Sequence, residues 1–79
     1  MAKRYLTFVS FLFEGGPSWQ NFEGSFDNYE SAKAHVVNET KTSMVGEVVD
    51  LEIERVVFKI KNLDGVATIE NLAGLERYA

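Results

Sequence analysis

The sequence predicts an α+β domain: a four-stranded antiparallel sheet in the order β-β-α-β-β, with one helix packed on one face. Three observations predict it. Apolar residues alternate with charged ones through residues 47–61, EVVDLEIERVVFKIK. A capping signal at Asp27 opens a short apolar stripe at helical spacing. Asn62-Leu63-Asp64-Gly65 reads as a tight turn between two β-type runs.

The first strand spans residues 4–13. Tyr5, Val9, Phe11 and Phe13 occupy one parity while Leu6, Phe8 and Leu12 occupy the other, so both faces are apolar. That pattern belongs to a central strand covered on two sides, or to one whose second face awaits a partner. Gly15, Gly16, Pro17 and Ser18 form a connection suited to a hairpin. The returning strand, residues 19–26, places Phe22, Gly24 and Phe26 on one face and Asn21, Glu23 and Ser25 on the other, with Trp19 on the polar side.

The helix starts at Asp27 as N-cap, with Glu30 three residues on in the manner of a capping box. Tyr29, Ala32 and Val36 make the apolar stripe, with Val37 beside it. Beyond Asn38 the residues are polar and β-branched, so the helix frays near Thr40, and Gly46 marks the turn into the next strand.

That strand is read as one long element over residues 47–61, because the alternation runs through it with a single change of phase. Val49, Leu51 and Ile53 put the apolar side at odd positions, and Val56, Phe58 and Ile60 at even ones. An unbroken strand would turn its core face outward halfway, and one extra residue near Glu54 and Arg55 restores the register as a β-bulge. The solvent face then reads Asp50, Glu52 and Glu54, followed by Arg55, Lys59 and Lys61. Asp64 and Gly65 form a type I turn closed by a glycine bulge, leading to a short strand over residues 66–70. In the last nine residues Leu72, Leu75 and Tyr78 suit a single helical turn docked on the sheet.

At 79 residues the chain accommodates one domain, residues 1–79, and a chain of this size buries only roughly 60 to 65% of its unfolded surface. Its 46% hydrophobic content, with six Phe, three Tyr and one Trp, supplies a core and argues against disorder. The absence of cysteine removes disulfides and thiolate metal sites. A formal charge of −4 disfavours direct binding to nucleic acid and favours a basic protein partner. The opening residues MAKRYLTFVSFLF imitate a secretory signal, but Thr7 and Ser10 interrupt the apolar run and no small-residue cleavage site follows. The expected location is the cytoplasm.

No arrangement of residues points to catalysis. His35 is the only histidine; it points away from the helical stripe, and an imidazole without an orienting acid and a nucleophile is inert. No glycine pattern forms a phosphate loop, and no metal or other cofactor is expected. Carboxylates accompanied by Lys59 and Lys61 supply the ingredients of a metal-dependent hydrolase, yet ligands about 7 Å apart on one strand cannot share an ion. The partner-binding candidates are therefore Asp50, Glu52 and Glu54, a regularly spaced acidic row, together with Trp19, an exposed aromatic anchor, and Glu23.

In size, charge, element order and the Asp50, Glu52, Glu54 row, the chain resembles the small acidic accessory proteins of phages and mobile elements, including anti-CRISPR and anti-restriction inhibitors. The resemblance covers the whole chain in style without a shared motif, and no residue is carried over from it. It implies a non-enzymatic module that inhibits a host nucleic-acid-processing or defence complex by occluding a basic surface, its carboxylates mimicking nucleic-acid phosphates. The alternative is a structural homodimer, in which the long strand pairs antiparallel with its own copy so that acidic and basic halves face each other.

Overall fold

In a computed structural model, residues 4–12 and 21–70 are described. They form five strands and one helix: β1 (Tyr5–Phe11), β2 (Phe22–Phe26), α1 (Tyr29–Glu39), β3 (Met44–Asp50), β4 (Arg55–Leu63) and β5 (Val66–Ile69). All neighbouring strands are antiparallel, in the spatial order β2-β1-β3-β4-β5. The architecture is α+β as expected, with five strands in place of four. Trp19, the Gly-Gly-Pro connection and the tail after Glu70 lie outside the described residues.

The fifth strand arises because the long strand is two strands. Residues 51–54 turn the chain, so β3 and β4 pair with each other, Asp50 opposite Arg55 and Glu47 opposite Lys59. The change of phase in the hydrophobic alternation therefore marks a hairpin. A true bulge does occur, with Val57 as its extra residue between the Val48–Phe58 and Val49–Val56 pairs, two residues past Arg55. Both edges of β3 are occupied, by β1 and β4. Self-pairing through an uninterrupted strand over residues 47–61 thus has no such strand to act on.

One face of the sheet carries α1. Tyr5 lies opposite Phe26 and Asp50, Thr7 opposite Gly24 and Val48, and Gly46 opposite Ile60. Side chains of paired residues share a face, and on this face Tyr5, Val48, Phe58 and Ile60 pack with Ala32 and Val36 of the helix. The stripe read from the sequence is the buried side of α1: Ala32 and Val36 are fully buried and Tyr29 packs against the same cluster, whereas Val37 is exposed. Gly46 is a close-approach glycine within β3 and does not mark a turn. A Cβ there would overlap the Thr40 hydroxyl and a Val36 methyl, so the helix can lie this near the sheet only over a residue without a side chain.

The helix begins one residue later than expected. Asn28, not Asp27, is the N-cap; its side-chain oxygen accepts from the Ser31 amide at 2.8 Å, satisfying one of the donors that a helix N-terminus leaves open. The far end stops at Thr40 as anticipated, where amide and hydroxyl both donate to the Val36 carbonyl, at 3.0 and 2.7 Å.

The face of the sheet away from the helix is also buried in its centre. Phe8, Ser10, Val45 and Glu47 are each about nineteen-twentieths inaccessible within the single chain. Of the two readings of the doubly apolar first strand, a strand covered on both sides is the one observed.

Candidate functional site

The sequence singled out Asp50, Glu52 and Glu54 as one solvent-facing row, and the hairpin separates them. Asp50 closes β3 on the helix-facing side and is completely buried. Its carboxylate accepts from Arg4 through two parallel bonds, Nε to Oδ1 and Nη2 to Oδ2, both 2.9 Å, and from the Glu52 amide at 2.9 Å. A buried carboxylate is stable in such a place because a bidentate guanidinium and a backbone donor replace its water. Asp50 is thus a fastener of the turn, unable to meet a partner's surface.

Glu52 and Glu54 do remain exposed, on the turn instead of along a strand. The turn is closed by the Glu54 amide donating to the Asp50 carbonyl at 2.7 Å, and Leu51 is tied to Arg4 by a backbone bond of 2.9 Å. Ile53 points back onto the core while Leu51 is exposed. Glu52 Oε2 lies 3.4 Å from Arg4 Nη1, so the Arg4 guanidinium spans the buried and the exposed acid.

Topology brings two further carboxylates to the same end of the sheet. Phe26 and Asp50 both lie opposite Tyr5, so Asp27, which follows Phe26, is at the end where the 51–54 turn begins. The first turn of α1 is there too, its Tyr29 ring 6.0 Å from that of Tyr5, and it carries Glu30. Asp27, Glu30, Glu52 and Glu54, all exposed, therefore lie toward the same end of the fold, on three separate segments. Among the described residues the cations at this end are Arg4, shared between Asp50 and Glu52; Arg55; and Lys33, whose ammonium lies over the Phe58 ring at 5.4 Å and the Tyr29 ring at 6.0 Å. Sequence reasoning missed Asp27 and Glu30 as site residues because it assigned them to the helix cap. Nothing in the local sequence shows that the later 51–54 turn lies toward the same end of the sheet.

On the face opposite the helix, Lys61 Nζ lies 2.9 Å from Glu70, and Lys59 sits between Glu70 at 4.0 Å and the buried Glu47 at 3.9 Å. Burial pushes the Glu47 carboxyl above its ordinary range, Lys59 opposes this, and Glu70 reinforces it. The hydrogen bond from Lys61 holds Glu70 below that range. Among the described residues no group of three or more histidines and carboxylates could hold a metal ion, and no helix is long and apolar enough to cross a membrane.

Glu23 belongs to a different place. The β1–β2 register advances from Thr7 opposite Gly24 to Phe8 opposite Phe22, leaving Glu23 as the extra residue of a bulge. The face assignment drawn from strict alternation fails here. Phe22 turns to the side of Phe8, their rings edge to face at 5.8 Å, while Phe26 remains on the helix side. Glu23 approaches His35, Oε1 to Nε2 at 3.8 Å, and the imidazole rests against the Phe26 ring at 5.2 Å between centroids. His35 is half-buried against the sheet, where the sequence reading had it pointing into solvent.

No protein-family model, no curated protein and no solved structure matches this chain.

Proposed function

We propose that this chain is a non-enzymatic protein-binding module, an inhibitor that occludes a basic surface of a host nucleic-acid-processing or defence complex. The observation that carries the reading is the placement of exposed Asp27, Glu30, Glu52 and Glu54 toward one end of the sheet. Four carboxylates held on a strand end, a helix start and a hairpin turn offer spaced negative charge on a backbone that the core already fixes. A groove built to bind phosphates is complementary to such a surface, and the match favours fast association as well as discrimination between partners. Asp50 enters as the residue that positions the turn, and Glu52 and Glu54 remain contact residues.

The test is affinity capture from a bacterial lysate with the full chain as bait, alongside the variant carrying Asp27→Lys, Glu30→Lys, Glu52→Lys and Glu54→Lys. All four side chains are exposed, and exposed substitutions change stability little, so circular dichroism should show the variant folded. The wild type should retain nucleic-acid-binding proteins that are released by added DNA or by about 0.5 M salt, where screening is nearly complete; the variant should retain none. Equal retention by both proteins would overturn the proposal.

A further inference from the structure

We infer that His35 and Glu23 form a proton-operated latch between α1 and the edge strand β2, open when the imidazole is neutral and closed when it is protonated. The inference is independent of the binding proposal. It rests on a mismatch in the geometry: His35 Nε2 is buried and has no hydrogen-bond partner, yet a carboxylate oxygen waits 3.8 Å away. That separation exceeds a hydrogen bond but is within the reach of a small side-chain rotation. A neutral imidazole carrying its proton on Nδ1 leaves this buried nitrogen a bare acceptor facing a carboxylate, which offers it no hydrogen bond. When Nε2 takes a proton from solvent it becomes a charged donor facing a carboxylate, and the N–H bond directed at Oε1 closes the gap.

The arrangement is built by the fold. Strict alternation from Gly24, which shares the helix-facing side with Thr7 and Val48, would put Glu23 on the opposite face. The bulge makes Glu23 the extra residue, and re-aiming a side chain is what bulges do. The Phe26 ring, packed on the imidazole, limits where His35 can turn. Among the described residues no competing cation faces the pair from the sheet. On the helix side β1 presents Tyr5, β3 presents Asp50, which Arg4 engages, and β4 presents Phe58, Ile60 and Asn62. On its own helix His35 has Ser31 one turn before and Glu39 one turn after. The latch matters most to β2, because among the described residues that strand pairs with β1 alone.

A double-mutant cycle with His35→Gln and Glu23→Gln reads the coupling directly. Unfolding is measured in urea at about pH 5.5 and about pH 8, on either side of the ordinary histidine range. The coupling should change the unfolding constant roughly two- to fivefold in acid, the span of a partly exposed ion pair, and vanish at the higher pH. Hydrogen exchange of the unmodified protein gives a second readout that does not depend on either variant folding. Corrected for intrinsic rates, β2 amides should gain protection in acid relative to those of β5, the other edge. Coupling that is equal at both pH values, or absent at both, would overturn the latch; so would a β2-to-β5 protection ratio that does not move with pH.

Discussion

The two turns that flank β4 reverse the chain at opposite ends of the same strand and are held by different means. At Asp64 and Gly65 the backbone does the work: Leu63 pairs with Val66, both intervening residues have positive φ, 52° and 82°, and this is the two-residue type I′ connection whose twist suits a hairpin. The type I turn with a closing bulge expected from the sequence is replaced by this tighter form. The 51–54 turn contains no glycine, asparagine or proline. It is held by a side chain, the buried Asp50 carboxylate gripping Arg4 and the Glu52 amide, and by Ile53 packing on the core. One reversal is written in residue types with special backbone freedom, and the other depends on partners distant in sequence.

Substitutions should separate the two. The largest effect is expected for Asp50→Ala, which removes charge-assisted hydrogen bonds from a fully buried site and should destabilise by about 2 to 3 kcal/mol in urea denaturation. A loss under about 0.5 kcal/mol would mean that the packing of Ile53 holds the turn unaided. Gly65→Val comes next, at about 1 to 2 kcal/mol, because a β-branched residue is strained at positive φ. The space around Gly65 is open, with no atom within 4 Å of an added Cβ, so any loss reports backbone strain and not a clash. An unchanged melting temperature would remove the distinction between the turns. The smallest effect has the opposite sign. Glu54 is held at a φ of 56°, where a residue with a Cβ is disfavoured. Glu54→Gly should therefore stabilise by about 0.5 kcal/mol, the relief being offset in part by the freedom glycine adds to the unfolded chain. Destabilisation on this change would show that the Glu54 side chain contributes more to the turn than its backbone strain takes away.

The same contrast explains what could be read from the residues alone. Asp64-Gly65 was legible because only a few residue types occupy positive φ without strain. Tyr29, Ala32 and Val36 were legible because burial on one side of a helix imposes a fixed spacing. The double apolar parity of Tyr5 to Phe11 was legible because a strand buried on both faces has no polar side. Residues 47–61 were misread because a bulge and a four-residue turn both shift the phase of an alternating pattern, and the intervening Leu-Glu-Ile-Glu has no punctuating residue. The Glu23 bulge was invisible for a related reason. Nothing in Phe-Glu-Gly-Ser-Phe distinguishes regular pairing from pairing with one extra residue, which the packing of Phe22 on Phe8 and of Phe26 near His35 accommodates.

By itself, the sequence determined the α+β class, the position of the helix to within a residue, the tight turn at Gly65 and an acidic, cysteine-free surface. These follow from local periodicity, backbone freedom and composition, each a property of neighbouring residues. Only the tertiary structure decided that Asp50 is a buried fastener and that Asp27 and Glu30 join Glu52 and Glu54 at one end. It also decided that Glu23 faces His35. The physical reason is that a carboxylate's role is set by what surrounds it: burial beside Arg4 makes one acid structural, while others stay at the surface, and those surroundings are supplied by segments remote in the chain.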